Sequence, residues 1–132
     1  MARRKKDEPT LAESIDTMRK NKRRIQVFTP PEIIEFIEKS VDHILRTEFG
    51  QSEGINSDKV HIIDPFAGEA NFTTRGIDTG VITRETAGRI EHMELLPESC
   101  EIARKELQKR GVKNPIIRNT DTFTERDMKC QE

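Results

Sequence analysis

The 132-residue sequence predicts an α/β fold, a parallel sheet of about three strands with flanking helices. Three observations predict it. Helix-period and strand-period apolar patterns alternate in the order helix, strand, helix, strand, helix, strand, which argues for right-handed crossovers between parallel strands. A small-residue loop, Asp64-Pro65-Phe66-Ala67-Gly68-Glu69-Ala70-Asn71-Phe72, follows a short β-branched run. An acidic residue then closes or nearly closes each predicted strand: Asp64, Glu94 and Asp121. In a parallel sheet those ends share one edge, where open α/β sheets bind their ligands.

The elements follow in chain order. Residues 1–24 read as a basic flexible tail, with a frayed helix around Leu11–Arg19. The first firm helix start is Thr29-Pro30-Pro31-Glu32: Thr29 is placed to cap, Pro30 sits at the first helical position, and Glu32 completes a capping box. Ile33, Ile37, Val41 and Ile44 repeat at helical spacing, with Ile34, Phe36 and Leu45 widening the apolar face. Gly50 to Asp58 reads as a polar loop.

Val60–Ile63 reads as a buried strand, and a helix begins near Ala70, interrupted or ended by Gly76 and Gly80. Ile90–Leu95 is the second strand. Leu96, Cys100, Ala103 and Leu107 mark one face of the next helix, which Gly111 closes. Pro115–Arg118 is the third strand, and residues 124–132 read as a frayed polar tail. The folded unit is therefore expected over residues 25–123.

Composition bounds the function. Apolar residues make up 33% and charged residues 36%, so the core is small. No apolar run is long enough for a membrane helix, and no signal-peptide core follows the basic start. Cys100 and Cys130 are far apart and lack a C-x-x-C partner, which suits a reducing cytoplasm better than a disulfide or zinc framework. Residues 1–24 carry nine Lys/Arg against four Asp/Glu, an excess of +5 on a body of −6. Such an arm is compatible with phosphate contact and equally with a solvated tail. A dinucleotide fingerprint and a P-loop are both absent.

Each acidic residue has two readings. Asp64 can accept from a ligand ammonium, or cap the following helix and brace the turn. Glu94 is placed to hold the two hydroxyls of a ribose, or is a surface acid. Asp121 can accept from an exocyclic amine, or form an Asx turn. Phe28 and Thr29 precede the capped helix, and a helix start also favours an anionic ligand group.

Four segments carry a resemblance: Phe28-Thr29-Pro30-Pro31-Glu32, Asp64 to Phe72, Glu94-Leu95-Leu96-Pro97 and Asn119-Thr120-Asp121-Thr122-Phe123. Together and in this order they resemble the cofactor motifs of S-adenosylmethionine-dependent, adenine-specific DNA methyltransferases of restriction-modification type, over residues 26 to 123. The resemblance implies a partial class I, Rossmann-like methyltransferase fold, truncated before the fourth strand. It also implies S-adenosylmethionine as cofactor and DNA as partner. Phe28 and Thr29 would flank the methionine moiety, with Asp64, Pro65, Ala67 and Gly68 beside it. Glu94 would hold the ribose and Asp121 the adenine ring.

The sequence departs from the family in two ways. Ala70 stands at the loop's second glycine position. The catalytic Asn/Asp-Pro-Pro-aromatic segment and the DNA-recognition domain have no counterpart, so no catalytic residue is assigned and the chain is expected to be inactive alone. The first strand would keep an unpaired side, inviting a homodimer or a complementing methyltransferase polypeptide. The alternatives are a non-catalytic remnant or module binding a partner or nucleic acid, and a methyltransferase acting on protein or RNA.

Overall fold

The structure, a computed structural model, describes residues 10–15 and 28–124. The basic arm and the polar C-terminal tail therefore lie outside the described residues, apart from a helical turn at 11–15 and Thr124. From Phe28 onward the order is α1 (Pro31–Thr47), a 3-10 turn (Gly54–Asn56), β1 (Ile63–Asp64), α2 (Asn71–Thr79), α3 (Arg84–Arg89), β2 (Glu91–Glu94), α4 (Pro97–Lys109) and β3 (Ile116–Asn119). The three strands form a parallel sheet in the order β1-β2-β3. This is the expected α/β, Rossmann-like arrangement with flanking helices.

The core is a cluster of modest side chains: Ile55, Ala70, Ile82, Ala87, Ile90, Ala103, Leu107 and Val112. It draws on every crossover segment, so the helices are held by one shared apolar layer rather than by local propensity. Cys100, Ala103 and Leu107 face inward from α4 at the spacing that the sequence showed. Gly111, at φ +89°, ends that helix as expected.

Five details differ from the expectation. The α1 cap is not Thr29: Pro30 is the N-cap, Pro31 occupies the first helical turn, and no side chain caps the helix. The Pro30 carbonyl already accepts from Ile33 and Ile34, so the helix starts on backbone bonds and proline geometry alone. The first strand is shorter than Val60–Ile63 and shifted to Ile63–Asp64. The Gly50–Asp58 loop contains the 3-10 turn, which buries Ile55 and is fixed by its N–H donating to Asp42 Oδ1 at 2.9 Å.

The fourth difference is α3, six residues long, capped by Thr83 through Thr86 N–H and braced by Asn56, which receives from Thr83 N–H at 3.0 Å and donates to the Val81 carbonyl at 2.9 Å. Gly88 inside it and its shortness hid it from periodicity.

The apolar stripe of α1 has a different fate from the one expected. Ile34 and Glu38 face the body, whereas Ile33, Phe36, Ile37, Val41 and Ile44 are exposed. Periodicity identifies an apolar face but not what covers it.

Candidate functional site

The site is built at the carboxyl edge of the sheet. Asp64 and His92 are register partners on β1 and β2, and Glu94 pairs in register with Asn119 of β3. Side chains two apart on a strand, and in register across strands, share a face. Asp64, His92, Glu94 and Asn119 therefore rise on one side of the sheet.

The loop after β1 is tied to β2 at two points. Ala67 N–H donates to the Met93 carbonyl at 2.9 Å, and Gly68 N–H donates to Glu94 Oε2 at 2.7 Å. Glu94 Oε1 accepts from Leu96 N–H at 3.2 Å, so each carboxylate oxygen of Glu94 holds one backbone amide. The surface-acid alternative for Glu94 is set aside by this geometry. Gly68 has φ +56° and Ala70 φ +64°, two nearby left-handed residues that bend the chain from β1 into α2. Ala70 is also the α2 N-cap and is fully buried. The position occupied by alanine thus does demand a positive φ, at a strain of about 1 kcal/mol.

Asp64 is half-buried. Its carboxylate lies near the Phe66 amide at the turn, while Oδ2 is buried and has no hydrogen-bond partner. Burial pushes its carboxyl above the usual range; the nearby His92 and the Phe66 amide oppose that shift, and Glu94 adds to it. Asp64 does not cap α2, because the N-cap is Ala70 with no side-chain bond. A place beside the turn and ligand acceptance by Oδ2 remain compatible.

His92 is fully buried. Its Nδ1 lies 2.9 Å from the Ile116 carbonyl, which can only accept, so Nδ1 carries the proton. Its Nε2 lies 2.7 Å from Thr73 Oγ1 and accepts that hydroxyl in the neutral ring. Burial lowers the His92 pKa, in keeping with a neutral imidazole clamping β2 to β3 and α2.

The third strand end closes over the same loop. Thr120 N–H donates to the Glu94 carbonyl at 3.1 Å, and Asn119 Nδ2 donates to the Glu94 and Leu95 carbonyls at 3.1 and 2.9 Å. Thr122 Oγ1 donates to the Pro65 carbonyl. The Phe66 and Phe123 rings meet at a centroid distance of 5.6 Å, both largely exposed. Asp121 Oδ1 accepts from Phe123 N–H at 3.0 Å, the Asx turn the sequence allowed.

Phe28 and Thr29 stand apart from this edge. They line a pocket of about 250 Å³ with Pro31, Ile34, Asn71, Thr74, Arg75 and Asp78. That pocket reaches the start of α2 through Asn71, the residue after Ala70, and is the link between the N-terminal motif and the loop.

Of the sequence-assigned residues, Gly68 and Glu94 bond directly; in the same loop Ala67 is tied to Met93 and Pro65 to Thr122, and Asp64 lies at its start. His92 and Thr73 were not anticipated, and Asn119 and Thr122 belonged to the third-strand segment without a role assigned to either. The alternation His92–Glu94 on one strand is the signal that could have pointed to His92.

No family profile matches the sequence, and no curated protein matches it. Solved structures do. The chain is similar to a nuclease-deletion mutant of the Type ISP restriction-modification enzyme LlaGI, in complex with a DNA substrate mimic: 32% identity over 74% of this chain and 11% of that one, TM-score 0.61. It is similar to DrdV in a DNA complex at 25% identity, over 73% of this chain and 10% of that one, TM-score 0.60. It is also similar to the ATP-dependent Type ISP restriction-modification enzyme LlaBIII bound to DNA, at 29% identity over 74% of this chain and 8% of that one, TM-score 0.58. The chain spans about a tenth of the length of these proteins, and the relation is to a segment of restriction-modification enzymes.

Proposed function

We propose that this chain is the S-adenosylmethionine-binding portion of an adenine-specific DNA methyltransferase of restriction-modification type. The observation that carries the reading is the edge formed by Asp64, the Gly68 loop and Glu94. A buried, unpaired Asp64 Oδ2 lies at the start of a loop whose Gly68 amide is held by Glu94. An orphaned acceptor of that kind is costly unless a ligand supplies a donor.

The residues fit the cofactor. Asp64 Oδ2 would accept from its ammonium. Glu94 is pre-oriented by two backbone amides and keeps lone pairs for ribose hydroxyls. Asp121 would accept from the adenine amine, beside the exposed Phe66 and Phe123 rings. Phe28 and Thr29 would border the methionine end from the pocket that meets Asn71. When bound, S-adenosylmethionine supplies a methyl group on a sulfonium, open to direct displacement by the exocyclic amine of an adenine flipped from the duplex. The chain's own contribution is to bind and orient, through a loop fixed before any ligand arrives.

DNA as the methyl acceptor is favoured over protein or RNA because the three solved structures named above are DNA complexes.

Calorimetric titration of the purified chain with S-adenosylmethionine tests the reading, alongside Asp64→Ala and Glu94→Ala. Saturable binding is expected in the wild type, with at least about tenfold weakening in each variant, equivalent to about 1.4 kcal/mol. A folded wild-type chain that takes up no cofactor, or variants that bind equally well, would overturn it.

A further inference from the structure

The pocket that Phe28 and Thr29 border has a polar wall on α2. Asn71, Thr74, Arg75 and Asp78 line it. They recur at i, i+3, i+4 and i+7, so they form one face of α2, and that face meets the start of α1 across the pocket.

Donors predominate there. The Thr29 hydroxyl is not spent on capping α1, and no side chain caps α2. Thr74 Oγ1 reaches the Asn71 carbonyl at a long 3.3 Å. Arg75 brings the positive charge. One bond engages its guanidinium, from Nη2 to Glu35 Oε2 at 3.2 Å, and its Nε is buried without a partner. Glu35 is held more closely by Lys39, at 2.7 Å. Glu38, the buried acid on the same helix, does not hold Arg75 either, because neither of its oxygens has a hydrogen-bond partner. Asp78 is the one acid among the lining residues, and both its oxygens are taken by Arg110, at 2.8 and 3.0 Å. The pocket thus offers several donors and a cation without a free acceptor, which suits an anionic group.

Its size and place narrow the choice of anion. A volume of about 250 Å³ between two helices suits the end of a small molecule better than a phosphodiester backbone. Asn71 directly follows the Gly68–Ala70 bend, so a ligand seated on that loop has the pocket beside it. A planar guanidinium matches a carboxylate with two parallel bonds, where Glu35 uses one nitrogen only.

We propose that Arg75 is a further binding residue of the cofactor site: it takes the carboxylate at the methionine end through two nitrogens and selects for ligands that carry it. This rests on the cofactor reading above.

The test is calorimetric titration of the full chain with S-adenosylmethionine and with its decarboxylated counterpart, which keeps the sulfonium, the amine and the adenosine. The wild type should favour the carboxylated ligand by at least about tenfold. Arg75→Gln should bind the two alike, and Arg75→Lys should keep part of the preference, each with an unchanged circular dichroism spectrum. Glu35→Gln releases the guanidinium, so it should tighten S-adenosylmethionine and leave the decarboxylated ligand unaffected. A purely structural tie between Arg75 and Glu35 would instead weaken both ligands in that variant, and that result would overturn the proposal even if Arg75→Gln failed to fold. Equal affinity of the wild type for the two ligands, or a preference that survives Arg75→Gln, would overturn it and leave the cofactor reading standing. A folded wild type that binds neither ligand would overturn both. A surviving preference together with weaker binding of a DNA duplex by Arg75→Gln would assign the pocket to a backbone phosphate instead.

Discussion

Glu38→Gln is expected to change the pH dependence of stability in a defined direction. In the folded chain the Glu38 carboxyl is lifted to about 7 from an ordinary 4.5, chiefly by burial. Between these values the folded state holds a proton that the unfolded state has released. Stability therefore falls as pH rises from about 4.5, and levels off above about 7. A shift of this size corresponds to about 3 kcal/mol. Glutamine has nearly the same shape, stays neutral throughout, and resembles the protonated acid.

The two proteins should thus be nearly equal in stability at pH 4.5, with the variant ahead by about 3 kcal/mol at pH 8. Differencing at each pH cancels every other titrating group, and differencing between the two pH values cancels the cost of burying the amide itself. The chain has no Trp or Tyr, so urea unfolding is best followed by far-ultraviolet circular dichroism. A stability difference that stays flat between pH 4.5 and 8, or that grows toward acid, would refute the reasoning: Glu38 would then be solvated or paired when charged.

Three further outcomes follow from the packing. Ala70→Gly should leave stability within about 1 kcal/mol of wild type, because relief of left-handed strain offsets the loss of a buried methyl; Ala70→Val, β-branched at φ +64°, should lose more than about 2 kcal/mol in the same urea titration. Gly76→Ala should destabilise by about 1–3 kcal/mol, since the added carbon would stand 2.4 Å from Glu38 Oε2 and 2.5 Å from Ile82 Cδ1 inside a packed helix contact; pairing it with Glu38→Gln should not restore the loss, because Ile82 still obstructs. Leu107→Ala, at a fully buried α4 position, should cost about 2–5 kcal/mol, checked by the shift of the urea midpoint at constant slope.

The alternation of patterns that indicated a parallel sheet holds because each crossover helix has to bury its apolar face on the strands it joins. The α4 face shows how well that works: Cys100, Ala103 and Leu107 were readable from spacing and are the buried set. The α1 face shows where it fails. Its stripe is as regular, yet Ile33, Ile37, Val41 and Ile44 are exposed, since burial depends on a neighbour the helix sequence does not encode. The helix α3 escaped for the opposite reason, being held by a Thr83 cap and Asn56 rather than by periodicity.

By itself the sequence determined the sheet's direction, the strand-end carboxylates and the loop between them, because local chain chemistry dictates where strands stop and backbone turns. It also exposed Ala70 as the anomaly of that loop. Only the tertiary structure decided what those carboxylates do. Glu94 became an anchor for the Gly68 and Leu96 amides, and Asp64 was left with one orphaned oxygen. His92 became a clamp between Thr73 and the Ile116 carbonyl, and Glu38, one more charged helix residue by sequence, became a buried acid without a partner. Burial and hydrogen-bond partnership are properties of residues far apart in the chain, so they arise only when the elements meet.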